Sequence, residues 1–180
     1  MTTNDKTSPR IYIACLAAYN SGKLHGQWID ANQEPSEIWV EISAMLKTSP
    51  ERGSEEWAMH DYEGFGDIHF SEWPDIRHVS TIARLIDDHG NAFTVWYQSQ
   101  DGHGFDTDEL EEKFLEQWQG AHDSESAFAD HLLEETGQLS ELPEWSRNYF
   151  DFESYARDLR LGGDYSFIRH GGQVYVYSNC

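Results

Sequence analysis

Hydrophobic and polar positions run along this chain in blocks whose period changes several times. Residues 11–18 (IYIACLAA) are short, apolar and followed by Asn20-Ser21-Gly22, the pattern of a buried strand closed by a turn. Residues 24–31 (LHGQWIDA) read as its returning partner. Pro35 suits the first position of a helix, and behind it Ile38, Ile42 and Met45 or Leu46 recur at helical spacing until Pro50. In residues 56–62 (EWAMHDY), Trp57, Met59 and Asp61 alternate with Ala58, His60 and Tyr62 up to Gly64-Phe65-Gly66, which predicts a strand. Strand, turn, strand, helix and strand within about sixty residues make a small α+β domain.

From Pro74 the period becomes helical. Ile76, Val79, Ile82 or Ala83, and Ile86 form an apolar stripe closed by Gly90. Residues 91–99 (NAFTVWYQS) are ambiguous, because β-branched and aromatic side chains favour a strand while the neighbours favour a helical unit. Asp106 or Thr107 can cap a helix in which Leu110, Phe114 and Trp118 face inward. Ser124 is the next cap, with Phe128, Leu132 and His131 along one face as far as Thr136-Gly137. Asp151 then caps residues 152–161, ended by Gly162-Gly163. Residues 165–168 and 174–177 flank His170-Gly171-Gly172, a hairpin signal. The expected fold class is α+β, with segments 1–73 (α+β), 74–118 (mainly helical) and 119–180 (α+β). Each is small enough to need its neighbours for stability.

Charge changes the picture. Asp and Glu number 33 against 12 Lys and Arg, a formal net charge of −21 on 180 residues. Such a charge opposes compaction through self-repulsion. It is not a disordered acidic tail, because the acids are interleaved with Trp, Tyr, Phe, Leu and Ile. It argues against direct nucleic-acid binding, which calls for clustered Lys and Arg. Halophilic adaptation is compatible with composition alone. The acids are also concentrated: Asp101, Asp106, Asp108, Glu109, Glu111, Glu112, Glu116, Asp123, Glu125, Asp130, Glu134, Glu135, Glu141 and Glu144 share their stretch with Lys113 as the only Lys or Arg. Asp108, Glu112 and Glu116 are spaced by four, which on one helix is a row repeating every ~6 Å, near the spacing of successive phosphates in DNA. Like charges at that spacing oppose the helix. A solvated helix face is the bland account of such a row, but solvated faces usually mix signs. An unmixed row acts as a fixed field that draws a basic groove.

Catalytic and metal signatures are weak. Nine histidines are spread singly, with no HExxH or ligand pair one helical turn apart. His60-Asp61 beside Glu63 is the nearest polar cluster, and neither Gly64-Phe65-Gly66 nor Gly102-His103-Gly104 makes a phosphate loop. Cys15 reads as a small buried hydrophobe and Cys180 as an exposed thiol; two cysteines make no disulfide framework. The first nine residues are polar and expected to fray, and neither a signal peptide nor a membrane span is read, so the expectation is a cytoplasmic protein without cofactor, metal or catalysis.

The residues that carry a likeness come in three blocks: 12–28 (YIACLAAYNSGKLHGQW) with Ile29-Asp30-Ala31, 55–66 (EEWAMHDYEGFG) and 155–168 (YARDLRLGGDYSFI). Together they resemble the ArdA antirestriction family, in the family's order and from about residue 9 to 177. The resemblance implies a curved, elongated homodimer with three small domains per subunit, shaped and charged like bent B-form DNA. It implies a partner, the methyltransferase core of a type I restriction–modification enzyme, whose DNA-binding groove it fills, and carriage on mobile genetic elements. It also implies that residues 91–99 are helical and that residues 129–137 (ADHLLEETG) correspond to a short antirestriction motif. Trp57, Tyr62 and Trp118 are expected to hold the carboxylates in register. Two other functions fit the composition: an acidic module that sequesters another basic nucleic-acid-binding protein, and a halotolerant hydrolase with an unrecognised carboxylate pair.

Overall fold

The computed structural model describes residues 8–100, 105–147 and 149–179. The chain is mixed α+β and divides into two compact units, Met1–Asp108 and Glu109–Cys180, where the sequence leads to an expectation of three.

In the first unit, β1 (Arg10–Cys15) lies between two antiparallel partners, β2 (Gly26–Asp30) and β3 (Trp57–Glu63). Ile11, Ile13, Ala14 and Cys15 are buried, as a central strand requires. The strand is shorter than expected. Leu16 to Asn20 turn into a one-turn helix, α1 (Leu16–Asn20), because the return to β2 begins at once, with Cys15 N–H donating to His25 C=O at 2.9 Å. The strict alternation expected in β3 is also broken. Tyr12 faces Asp61 while Ile13 faces Met59, so His60 is the extra residue of a β-bulge and Ala58 and Met59 are both buried.

Helix α2 (Pro35–Lys47) starts on its proline and packs Ile38, Ile42 and Met45 against the sheet. Helix α3 (Ile76–His89) is capped by Asp75, whose carboxylate accepts from Arg77 N–H at 2.9 Å, and buries both Ile82 and Ala83 in its stripe. It is tied to the segment before α2 by Ser80 Oγ donating to Gln33 C=O at 2.6 Å and by Asn32 donating to Asp87 at 3.2 Å. Both contacts cross residue 73, the expected end of the first segment. Gly90, at φ 58 and ψ −135, a conformation open essentially to glycine alone, breaks α3 from α4 (Asn91–Ser99). Residues 91–99 are helical, as the family resemblance implied and β propensity did not; Phe93, Val95 and Trp96 reach the core.

The second unit opens with α5 (Leu110–Gln117), which ends one residue earlier than expected. Trp118 instead begins β4 (Trp118–His122), an edge strand that local pattern does not reveal. Helices α6 (Glu125–Glu135), α7 (Glu144–Arg147) and α8 (Phe152–Gly162) follow, then the hairpin β5 (Tyr165–His170) and β6 (Gln173–Ser178). Gly171 and Gly172 both have positive φ, 58 and 86, the two-residue turn whose twist matches the strands. The sheet order is β4-β6-β5, all antiparallel. Central β6 is buried on both faces. Val174 and Val176 pack with Phe128, Leu132, Leu159, Tyr165 and Phe167, while Tyr175 and Tyr177 meet Trp118, which stacks 6.0 Å from Phe114. Burial, then the neighbouring Tyr175, pushes the Tyr177 hydroxyl well above its ordinary pKa. Among the described residues no helix is long and apolar enough to cross a membrane.

Candidate functional site

The acid-rich stretch begins at the end of the first unit; Asp101 and Cys180 lie outside the described residues. Asp106 accepts from the Asp108 N–H at 3.1 Å and so tightens a single 3-10 turn, Thr107–Glu109. Asp108 sits in that turn rather than on the helix with Glu112 and Glu116, and it is ion-paired with Arg77 of α3. The expected row of three is therefore a pair on α5, both exposed and one helical turn apart, about 6 Å along the axis. Glu109 meets Lys113 at 3.5 Å, and Glu111 is half-buried. Glu111 and Glu112 occupy the first turn of α5, where the positive end of the helix dipole favours them.

Helix α6 arranges its acids differently. Ser124 caps it, accepting from Ala127 N–H at 3.0 Å, and Asp123 before the cap is exposed. Glu125 is bound by Arg160 through two bonds of 3.0 and 2.9 Å and by Arg169 at 3.3 Å, leaving its side chain only 16% exposed. Beyond it Asp130, Glu134 and Glu135 are exposed, while Phe128, Ala129 and Leu133 point inward. Residues 129–135 are thus one amphipathic helix end with its acids outward. Glu134 and Glu135 sit in the last turn without a Lys or Arg, where the dipole opposes negative charge; the His131 ring lies 3.5 Å from Glu135. Asp130 also borders an open cleft of about 440 Å³ with Phe150, Asp151, Phe152 and Glu153. The Asp151 carboxyl is held below the ordinary range, chiefly by the Ser154 hydroxyl and N–H that it caps.

Nine of the eleven described candidates, Asp106, Asp108, Glu109, Glu112, Glu116, Asp123, Asp130, Glu134 and Glu135, face solvent. Carboxylates exposed in this way are open to the cationic groups of a partner. The His60-Asp61-Glu63 cluster has structural duties instead: His60 packs on Tyr19 at 4.8 Å, Asp61 accepts its neighbour's N–H, and Glu63 pairs with Arg10. Among the described residues no three His, Cys, Asp or Glu side chains are placed to hold a metal ion. The aromatics expected to brace the acids fall in both units: Tyr62 packs on Phe65 and Phe70, and Trp118 on Phe114, Tyr175 and Tyr177. Counting acids in one stretch overlooked the first unit. There Glu34, Glu37, Glu55, Glu56, Asp67 and Glu72 are also exposed, and the total charge was the only signal of them.

A comparison with curated proteins finds no match to the chain. The family comparison matches residues 11–174 to the family described as antirestriction protein (ArdA), almost the whole length of both units. The chain therefore belongs to the ArdA antirestriction family, whose members inhibit type I restriction enzymes.

Proposed function

We propose that this protein fills the DNA-binding groove of a type I restriction–modification enzyme, presenting carboxylates in place of phosphates and blocking both restriction and modification. The observation that carries this reading is the set of exposed acids on α5 and α6, above all Glu134 and Glu135, which the helix dipole disfavours. Acids kept where they cost stability point to use by a partner. DNA-binding enzymes grip the duplex largely through phosphate contacts that carry no sequence information. A carboxylate array meets those same basic groups whatever target sequence the enzyme reads. The methyltransferase core is the part engaged, in the cytoplasm where that enzyme works. The acting form is a homodimer.

The test is competition. With a purified type I methyltransferase core and labelled duplex, the protein is expected to displace the DNA, with affinity falling steeply as salt rises. A ternary complex holding both, or affinity indifferent to salt, overturns the reading. Binding no tighter than to an unrelated basic nucleic-acid-binding protein favours a general acidic sequestering module. Sedimentation showing monomers alone at micromolar concentration removes the dimer.

A further inference from the structure

The first unit carries an aromatic cluster that the carboxylate array does not use. Trp39 of α2 meets Trp57 of β3 edge-on, with ring centroids 5.6 Å apart, and the Trp73 indole N–H donates to the Trp57 carbonyl at 3.2 Å. Trp57 is half-buried, whereas Trp39 and Trp73 are 46% and 62% exposed. Trp73 is not a loose side chain. The Met59 N–H donates to the Glu72 carbonyl at 2.8 Å, so residues 72 and 73 cover the outer edge of β3 and hold the ring in place. Glu55, Glu56 and Glu72 adjoin the cluster along the chain, all exposed and without an ion pair among the described residues.

We infer that Trp39, Trp57 and Trp73 form an apolar anchor for a basic protein surface, and this rests on the functional reading above, which supplies such a partner. Tryptophan held rigidly at a surface, with polar groups around it, is the usual make-up of an interface hot spot, because little ordering remains to be done on binding. The rim selects the occupant. A second copy on this face brings Glu55, Glu56 and Glu72 of both chains into one interface with no Lys or Arg adjoining them along the chain, which is repulsive. Lys and Arg of a basic surface meet the rim as counter-charges, and a guanidinium also stacks on an indole face. The chain itself contains that contact, with Arg10 over the Trp28 ring at 4.8 Å.

The experiment measures binding to a type I methyltransferase core across a salt series. The double variant Trp39→Ala, Trp73→Ala is expected to bind at least about tenfold more weakly with an unchanged salt slope, as an apolar contact requires. Glu112→Gln with Glu116→Gln is expected to lower the slope. A second probe leaves the rings in place: Ser43→Cys, exposed on the face of α2 one turn beyond Trp39, carries a spin label in a Cys180→Ser background. The label is expected to become immobilised on complex formation. A folded double variant that binds within twofold of wild type, or a label that stays mobile in the complex, overturns the anchor while the functional reading stands. A double variant that alters self-association and leaves core binding intact assigns the face to a second copy and overturns it too. Wild-type protein that does not bind the core removes both.

Discussion

The two units carry almost the same charge but distribute their cations differently. The first has eighteen acids against seven bases over 108 residues, the second fifteen against five over 72. In the first unit the bases are dealt out singly: Arg10 to Glu63, Lys23 to Glu51, Arg77 to Asp108 and Arg84 to Asp88. In the second, Lys113 and Arg157 are also paired singly, with Glu109 and Asp158, but Arg160 and Arg169 converge on Glu125. The ends of α3 and α6 make the contrast local. Both finish with paired acids, but Asp88 has Arg84 and Asp87 has Asn32, whereas Glu134 and Glu135 have no Lys or Arg in their turn. How a charged surface presents itself thus depends on where its few cations go as much as on their number.

The largest expected effect separates the units as folding entities. Phe128 is 2% exposed between the helices and the sheet of the second unit, so Phe128→Ala is expected to cost about 3–5 kcal/mol. Limited proteolysis is expected to show the second unit cleaved while the first survives; loss of both at once breaks the division. Next, Glu125→Gln releases two arginines and is expected to lower stability by about 1 kcal/mol, a modest figure because both guanidinium groups are half-exposed or more. Glu63→Gln in the first unit is expected to stay within about 0.5 kcal/mol. Equal losses in urea unfolding cancel the claim that the second unit concentrates its cations for structure.

A third expectation concerns acid. His78 shares hydrogen bonds with Tyr97 (2.9 Å) and Thr107 (3.0 Å), and burial lowers its pKa against the opposing pull of Asp75. Above the unfolded value of about 6.5 both states are neutral. As pH falls below that, the unfolded chain takes the proton first, so stability declines until the lower folded value is reached. His78→Gln is expected to flatten this limb of a stability–pH curve, and an unaltered slope removes the effect. The smallest effects belong to the array. Glu112→Gln is expected to weaken inhibition only slightly, and with Glu116→Gln it is expected to slow association while raising stability by a few tenths of a kcal/mol. A single neutral replacement that abolishes inhibition in a folded protein refutes a distributed array.

Most helices and the terminal hairpin were legible because their punctuation is local. Pro35, Gly90, Ser124 with Gly137, Asp151 with Gly163, and Gly171-Gly172 each act on the residues beside them. The same proximity made the family readable from three continuous blocks and the excess of acid readable from one stretch. What the sequence withheld depends on partners far along the chain. Residues 118–122 are a strand because β6, at the other end of the unit, pairs with them, and the β3 bulge at His60 exists only against β1. Which acids are neutralised was decided in the same way: Arg77 lies 31 residues from Asp108, and Arg160 and Arg169 lie 35 and 44 from Glu125. Composition counts charges, but only the folded chain brings a particular cation to a particular carboxylate. The tryptophan cluster has the same origin, since Trp39, Trp57 and Trp73 meet only once a helix, a strand and a connecting segment share one edge of a sheet.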